Sequence, residues 1–300
     1  MMDNQYEKMN IQWFPGHMTK AQRMIEENLK MVDAVCEILD ARIPRSSRNP
    51  DIDRLAGDKP RLVILNRTDL ADPAITARWR KYFEAQGLAI LETDARSGKG
   101  VNGFAPAVRR LLAGKIREFE AKGQVGRPLR VMILGIPNVG KSSLINRLAG
   151  SNKAKTADKP GVTRAKQWIR LGGNLELLDT PGILWPKFED MTAGLKLAFT
   201  GAINDEAIDR ELITGVFLQT MAEMYPDRLR ERYKLAGDLP SEPHELLELI
   251  GRKRGCLVKG GIVDTEKAQR IVLTDFRSGK LGTVSLDMPP QDDGMAEDEQ

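Results

Sequence analysis

An apolar stretch, Arg130-Val-Met-Ile-Leu134, runs directly into Gly135-Ile-Pro-Asn-Val-Gly140-Lys141-Ser142, and a helical pattern follows from Ser143 to Leu148. Strand, glycine-bearing loop and helix in that order form a phosphate cradle. The glycines let the backbone curl until successive N–H groups face one anion, and the helix adds its N-terminal dipole. Lys141 is placed to reach the β- and γ-phosphates of a nucleotide, and the Ser142 hydroxyl to hold Mg²⁺. Asn138, Val139, Gly140 and Ser143 supply the rest of the loop. The chain is thereby committed to an α/β architecture around a nucleotide.

A second apolar stretch, Arg61-Leu-Val-Ile-Leu65, ends in Asn66-Arg67-Thr68-Asp69, which resembles the Asn-Lys-x-Asp element that reads guanine in GTPases. A carboxylate at its last position accepts both N1–H and N2–H of guanine, a pair of donors that adenine does not present. Asp69 therefore argues for GTP over ATP. Arg stands at position 67 where Lys is usual, and its alkyl stem can still pack over the base. After Leu88-Ala-Ile-Leu91, the run Thr93-Asp94-Ala95 resembles the Ser-Ala loop that backs the guanine ring, with Asp94 in place of Ser.

Beyond the phosphate loop come Pro160-Gly-Val-Thr163 and, after Leu175-Glu-Leu-Leu178, Asp179-Thr-Pro-Gly182. Thr163 is a Mg²⁺ ligand candidate when a γ-phosphate is present, Asp179 would reach the ion through water, and the Gly182 N–H would sense the γ-phosphate. Each motif alone has a plain reading as a polar turn closing a strand. Together they follow the order guanine loop, second guanine loop, phosphate loop, first switch, second switch. In an ordinary GTPase the guanine motif follows the phosphate loop; here it precedes it. The order is that of a circularly permuted GTPase.

Periodicity predicts strands near 34–39, 61–65, 88–91, 130–134, 166–171 and 174–178, a mainly parallel sheet flanked by helices. Residues 19–31 read as an amphipathic helix with Ala21, Met24, Ile25 and Leu29 on one face and Thr19 as its cap. Residues 102–122 read as one helix, and 124–128 as the join that a permutation requires. From about 190 only helical patterns appear, near 190–200, 206–224, 226–235, 243–253 and 264–275. The expected organisation is an N-terminal segment (1–32), a permuted P-loop GTPase domain (33–188), a small all-α domain (189–286) and an acidic tail (287–300).

Net charge is +4 over 300 residues, yet 287–300 hold six acids and no base, which leaves the body at +10. Such a body suits an anionic partner, and Arg252, Lys253, Arg254, Lys259, Arg270, Arg277 and Lys280 are candidate RNA contacts by phosphate and shape, since no aromatic platform accompanies them. Solvated helix faces are the plain alternative. The tail, with Pro289-Pro290, is expected to be disordered. No apolar run approaches membrane-spanning length, the first residues carry acids without a leader pattern, and two distant cysteines, Cys36 and Cys256, have no metal spacing. A cytoplasmic monomer is expected.

These motifs, with Trp13-Phe-Pro-Gly-His17-Met, Leu39-Asp-Ala-Arg-Ile-Pro44 and Asp275-Phe-Arg-Ser-Gly-Lys-Leu-Gly282, resemble the circularly permuted GTPases of the ribosome biogenesis GTPase A type, also called YlqF or RbgA. The resemblance implies a GTPase that binds the large (50S) ribosomal subunit precursor late in assembly, touches its rRNA with the helical domain, and leaves after hydrolysis. It also suggests a role in hydrolysis for His17; a histidine capping the following helix is the rival reading. Ile183 and Leu184 occupy the stretch where other GTPases carry a water-positioning Gln, so hydrolysis by the chain alone should be slow. Asn138 matches a position that holds K⁺ in related GTPases. After Gly182 the chain passes almost directly into the helical domain, so loss of the γ-phosphate should bias that domain. A switch acting on a protein partner would share the nucleotide site, and an ATPase would share the phosphate loop without needing Asp69.

Overall fold

Alternate residues of the inner strands part to opposite faces of one sheet, and both faces are covered. On β1 (Ala34–Asp40), Ala34, Cys36 and Ile38 enter one cluster while Val35 and Leu39 enter two others on the far face. Every residue of the strand is buried, which is why it reads as a nearly unbroken apolar run. The protein is described here by a computed structural model covering residues 23–150, 167–180, 191–205 and 209–290.

The elements follow in chain order: α1 (23–29), β1, α2 (Pro44–Ser47), α3 (Ile52–Ala56), β2 (Arg61–Asn66), α4 (Pro73–Ala85), β3 (Ala89–Thr93), α5 (Phe104–Leu111), α6 (Ala113–Ala121), β4 (Leu129–Gly135), α7 (Lys141–Ala149), β5 (Gln167–Leu171) and β6 (Leu175–Asp179). The sheet order is β3-β2-β1-β4-β6-β5, parallel throughout except for β5, which runs antiparallel to β6. From β1 the chain moves outward through β2 to β3, then returns to lay β4 on the other side of β1. Strand order thus reverses between β1 and β4. In an open parallel sheet the crevice at the carboxyl ends of such a pair is where ligands sit, and the phosphate loop leaves β4 at that point.

Helices take their places by burying one stripe each. Trp79, Phe83 and Ile75 of α4 pack under Val63 and Leu65 of β2, and the helix begins cleanly because the Asp72 carboxylate accepts from the Ala74 and Ile75 amides with Pro73 in the first turn. Leu144 and Ile145 anchor α7 beneath the opposite face. Ile25 and Leu29 of α1 are buried as the pattern predicts, whereas Met24 is only half-buried; Ala21 and Thr19 lie outside the described residues. The helix expected over 102–122 is two helices, preceded by a 3₁₀ turn at Val101–Gly103 and broken at Leu112, whose ψ is 15°. Gly114 in the next turn weakens helix by about 1 kcal/mol relative to Ala, so the break costs little.

The second unit comprises α8 (Met191–Thr200), α9 (Arg210–Met224), α10 (Pro226–Tyr233), α11 (Pro243–Lys253) and α12 (Thr265–Arg277). Phe217 sits at its centre, 5.2 Å from the Phe199 ring and 4.9 Å from that of Phe276. A strap beyond α12 then returns to the sheet. Val284 N–H donates to Leu70 O, Leu286 N–H to Arg42 O, and Tyr225 Oη to Ser285 O.

Asp287 overturns one expectation. Assigned to the disordered tail, it is in fact 2% exposed. Its carboxylate accepts from Ser46 N at 2.7 Å, Ser46 Oγ at 3.0 Å and Lys196 Nζ at 2.8 Å, and its carbonyl accepts from Trp79 Nε1. Charge counting groups it with the acids that follow; the strap places it at the N-terminus of α2, where a carboxylate is favoured. The residues after 290 lie outside the described set. Among the described residues no helix is long and apolar enough to cross a membrane.

Candidate nucleotide site

Three loops expected to meet at one nucleotide come from the ends of β2, β3 and β4, and side-chain hydrogen bonds join them. Asn66 is the hub: its Nδ2 donates to Val139 O at 2.8 Å, and its Oδ1 accepts from Ala95 N and Thr93 Oγ1, each at 3.0 Å. Both ends of this buried amide are satisfied, so the two guanine-side loops and the phosphate loop hold one relative position. Arg67, with a left-handed φ of 63°, turns its guanidinium onto Asn138 O. Residues some seventy positions apart therefore line one cleft.

The phosphate loop has the backbone its sequence demands. Asn138 and Gly140 both carry positive φ, 57° and 97°. A Cβ at Gly140 would also run into the Asn66 side-chain amide, so two independent constraints require glycine there. Gly135 is required by space alone, since a Cβ there would strike Ile38 of the neighbouring strand.

Lys141 opens α7 and is 6% exposed; its Nζ lies 3.4 Å from Asp179 Oδ1 at the end of β6. The Thr180 hydroxyl donates to Ile133 O at 2.7 Å and fixes the Asp179 turn to β4. Neither Lys141 Nζ nor Asp179 Oδ1 finds a hydrogen-bond partner among the described residues. Burial pushes the lysine down and the aspartate up, each opposed by the other's charge. A cation and a carboxylate buried side by side with open hydrogen-bonding capacity suit a group bearing both anionic oxygens and a divalent metal.

Asp69 sits on the exposed rim of this cleft. Burial, then the charge of Asp94, raises its pKa, while Arg67 and Arg42 act in the opposite sense. Asp94 directs its own Oδ1 to the Arg96 and Ser97 amides at 2.8 and 3.2 Å. Those hydrogen bonds outweigh burial and hold its carboxyl below the usual range. The Asp94 side chain thereby closes an Asx turn at the end of β3.

Asn138, a candidate cation ligand from sequence, donates its Nδ2 to Gly201 O at 2.7 Å, just past the end of α8. His17, Thr163 and Gly182 lie outside the described residues. Among the basic candidates, Arg252, Lys253, Arg254, Lys259, Arg270 and Lys280 are exposed. Arg277 requires correction. Its guanidinium donates to Ala198 O and Phe199 O and forms a two-point pair with Asp205, so it caps the carboxyl end of α8 rather than facing an external partner. Two residues without an assigned role, Asp40 and Arg42, are buried directly behind the guanine loop; their signal in the sequence was two opposite charges spaced to face each other at the end of an apolar strand.

Comparison with known proteins places this arrangement. A family model described as 50S ribosome-binding GTPase matches residues 130–219. Ribosome biogenesis GTPase A of Priestia megaterium is 50% identical over 284 residues, 94% of this chain and 98% of that protein. The chain belongs to the ribosome biogenesis GTPase A family. The Bacillus cereus member is 49% identical over 97% of this chain and 98% of its own length. The crystal structure of GNP-bound YlqF from T. maritima superposes with a TM-score of 0.62 at 29% identity, covering 91% of this chain and 99% of that one. As a member of the ribosome biogenesis GTPase A family the protein is a GTPase, and its sheet is the mainly parallel one, flanked by helices, that the periodicity predicts.

Proposed function

We propose that this GTPase acts in assembly of the large ribosomal subunit, binding the precursor particle through rRNA in its GTP state and leaving after hydrolysis. The observation that carries the nucleotide reading is the Asn66 bridge to Val139 O, which joins the base-reading loops to the phosphate loop. Asp69 accepts the guanine N1–H and N2–H, with Thr68 and the Asp94-Ala95 turn shaping the wall of the base pocket. Arg67 braces that pocket against Asn138. Backbone amides from Asn138 to Ser143 surround the phosphates, and Lys141 moves its charge from Asp179 alone to the β- and γ-oxygens. Ser142, Thr163 and Asp179, the last through water, would hold Mg²⁺. When bound, the ion neutralises charge that builds up between the phosphates. Gly182 senses the γ-phosphate, His17 is the candidate that orients water, and Asn138 is the candidate K⁺ contact.

Family membership supports the ribosomal role, and the relatives' names carry ribosome biogenesis. The body's positive charge and the exposed basic residues of α11, its following loop and α12 favour rRNA as the surface engaged. A cytoplasmic monomer in its free state is consistent with this reading. Sedimentation with purified large subunits in a non-hydrolysable GTP analogue and in GDP tests it. Co-sedimentation in the analogue and release in GDP are expected; equal binding in both states, or none, would turn the assignment towards a switch acting on a protein partner.

A further inference from the structure

A line of three charges, the partly exposed Arg67 and the buried Asp40 and Arg42, connects the guanine loop to the helical domain by a route separate from the second switch. Asp40, the last residue of β1, accepts from Arg42 Nε at 2.9 Å and Nη2 at 2.7 Å, and from the Arg42 amide at 3.1 Å. Its Oδ2 also lies 3.8 Å from Arg67 Nε. One carboxylate, 2% exposed, therefore serves two guanidiniums. Arg67 faces the guanine loop and the phosphate loop. Arg42 faces the other way: its guanidinium carbon stands 4.7 Å from the centroid of the Phe276 ring, and its Nη1 is 3.5 Å from Phe276 O. The Arg42 carbonyl accepts Leu286 N–H from the strap, at 2.7 Å. Phe276 packs in turn on Phe217, the centre of the helical core.

Arg42 is fully buried, so its charge is offset almost wholly by Asp40 and the Phe276 ring. In so dry a setting, a movement of Arg67 that strengthens or loosens its share of Asp40 changes how firmly Asp40 holds Arg42. Both arginines also act on the Asp69 carboxylate. Once guanine N–H donors engage that carboxylate, its pull on the two guanidiniums changes, and occupancy of the base pocket acquires a differential interaction with the far end of the line. The identity of residue 67 matters here. A guanidinium presents several donors in a fork and can serve Asn138 O and Asp40 together, whereas a lysine ammonium at the same place is a single point charge.

We propose that Arg67, Asp40 and Arg42 form a relay that couples occupancy of the guanine pocket to the grip on Phe276, so that the helical domain responds to the base as well as to the γ-phosphate. Arg67 is its positioning residue. The proposal rests on the guanine reading of Asp69 and deepens it into regulation. By linkage, whatever engages the helical domain tightly enough to shift Phe276 alters nucleotide affinity by the same factor.

Amide hydrogen exchange on the full chain, with and without saturating GDP, tests the relay in wild type and in Arg67→Lys. Arg67 is partly exposed, and the substitution restores the residue usual in such motifs, so folding is not at stake. GDP is expected to slow exchange over residues 274–278 at least threefold in wild type. In the variant, with GDP raised to saturation as judged by that protein's own titration, the protection of 274–278 should fall by more than half. Equal protection of 274–278 in the two proteins, or none in wild type, would overturn the relay. A cycle of GDP dissociation constants for Arg67→Lys, Phe276→Leu and the double variant gives a second readout: coupled residues depart from a multiplicative product by threefold or more, and a simple product contradicts the proposal. GDP titration of wild type reports the nucleotide site itself, so its failure is distinguishable from failure of the relay.

Discussion

The nucleotide cleft and the helical domain use charge in opposite ways. In the cleft, side chains meet partners far away in sequence: buried Asn66 and partly exposed Arg67 by hydrogen bonds to Val139 and Asn138, and buried Lys141 as an ion pair with Asp179. On the outer faces of α11, its following loop, and α12 to its end, the exposed basic candidates stand in solvent, with two ion pairs among them: Arg252 with the exposed Glu248 and Lys280 with Asp275. Geometry in the first region is over-determined. In the second it is open, which is what the proposed contact with rRNA phosphates requires.

Arg277 sharpens the contrast, because it belongs by sequence to the open group and by structure to the closed one. Arg277→Gln is expected to lower stability by about 2–3 kcal/mol through loss of its bonds to Asp205 and the end of α8, measured by chemical denaturation. Lys259→Ala should change stability by less than about 0.5 kcal/mol. A tolerant Arg277 would erase the distinction.

Glu37 gives a comparable test inside the sheet. It lies on β1 in a small cleft lined by Ile25, Ile52, Leu134 and Ile136, with Arg48 Nε 3.5 Å away, and burial raises its pKa to about 7 despite Arg48 and Arg61. A carboxyl whose folded pKa exceeds its unfolded value is penalised once ionised. The penalty is absent below about pH 4.5, grows through pH 7, and is full above it. Glu37→Gln should therefore stabilise the protein at pH 8 by up to about 3 kcal/mol and have little effect at pH 4.5, read from denaturation midpoints across pH. An equal effect at both values would mean that the Arg48 pairing dominates.

The smallest expected change concerns the open surface. Replacing Arg252, Lys253 and Arg254 together by Ala should weaken binding to large subunits and flatten the slope of log affinity against log salt by about 0.7–0.9 for each phosphate that is no longer neutralised. An unchanged slope would move the RNA-binding face elsewhere.

What sequence patterns could convey follows the same division. Strands buried on both faces, and the loops that leave them, announce themselves because apolar runs and phosphate-binding glycines answer to local physics; β2, β4 and β6 appear within a residue or two of their expected bounds. The rotated motif order was enough to anticipate that the guanine loop and the phosphate loop would meet; the Asn66 bond to Val139 O that joins them was not foreseen. The roles of Arg277, Asp287 and Arg42 were not recoverable that way. Each depends on a partner more than seventy residues distant, and an arginine that caps a helix looks the same in a sequence as one that faces solvent. The break at Leu112 was missed for a different reason: helical periodicity survives it, since Leu112 N–H still donates to Val108 O and Ile116 N–H to Leu112 O.

The claim beneath all of this is that a carboxylate early in the chain and a lysine at its middle hold the two ends of one guanine nucleotide. Calorimetric titration of Asp69→Asn with GDP and with xanthosine diphosphate tests it most directly. Asp69 is exposed and caps no element, so the variant should fold. Asn cannot accept both guanine N–H groups, but its amide matches the oxo group that xanthine carries at C2. The account predicts a loss of GDP affinity of about 100-fold or more with a gain for the xanthine nucleotide. Unchanged preference for GDP would contradict it.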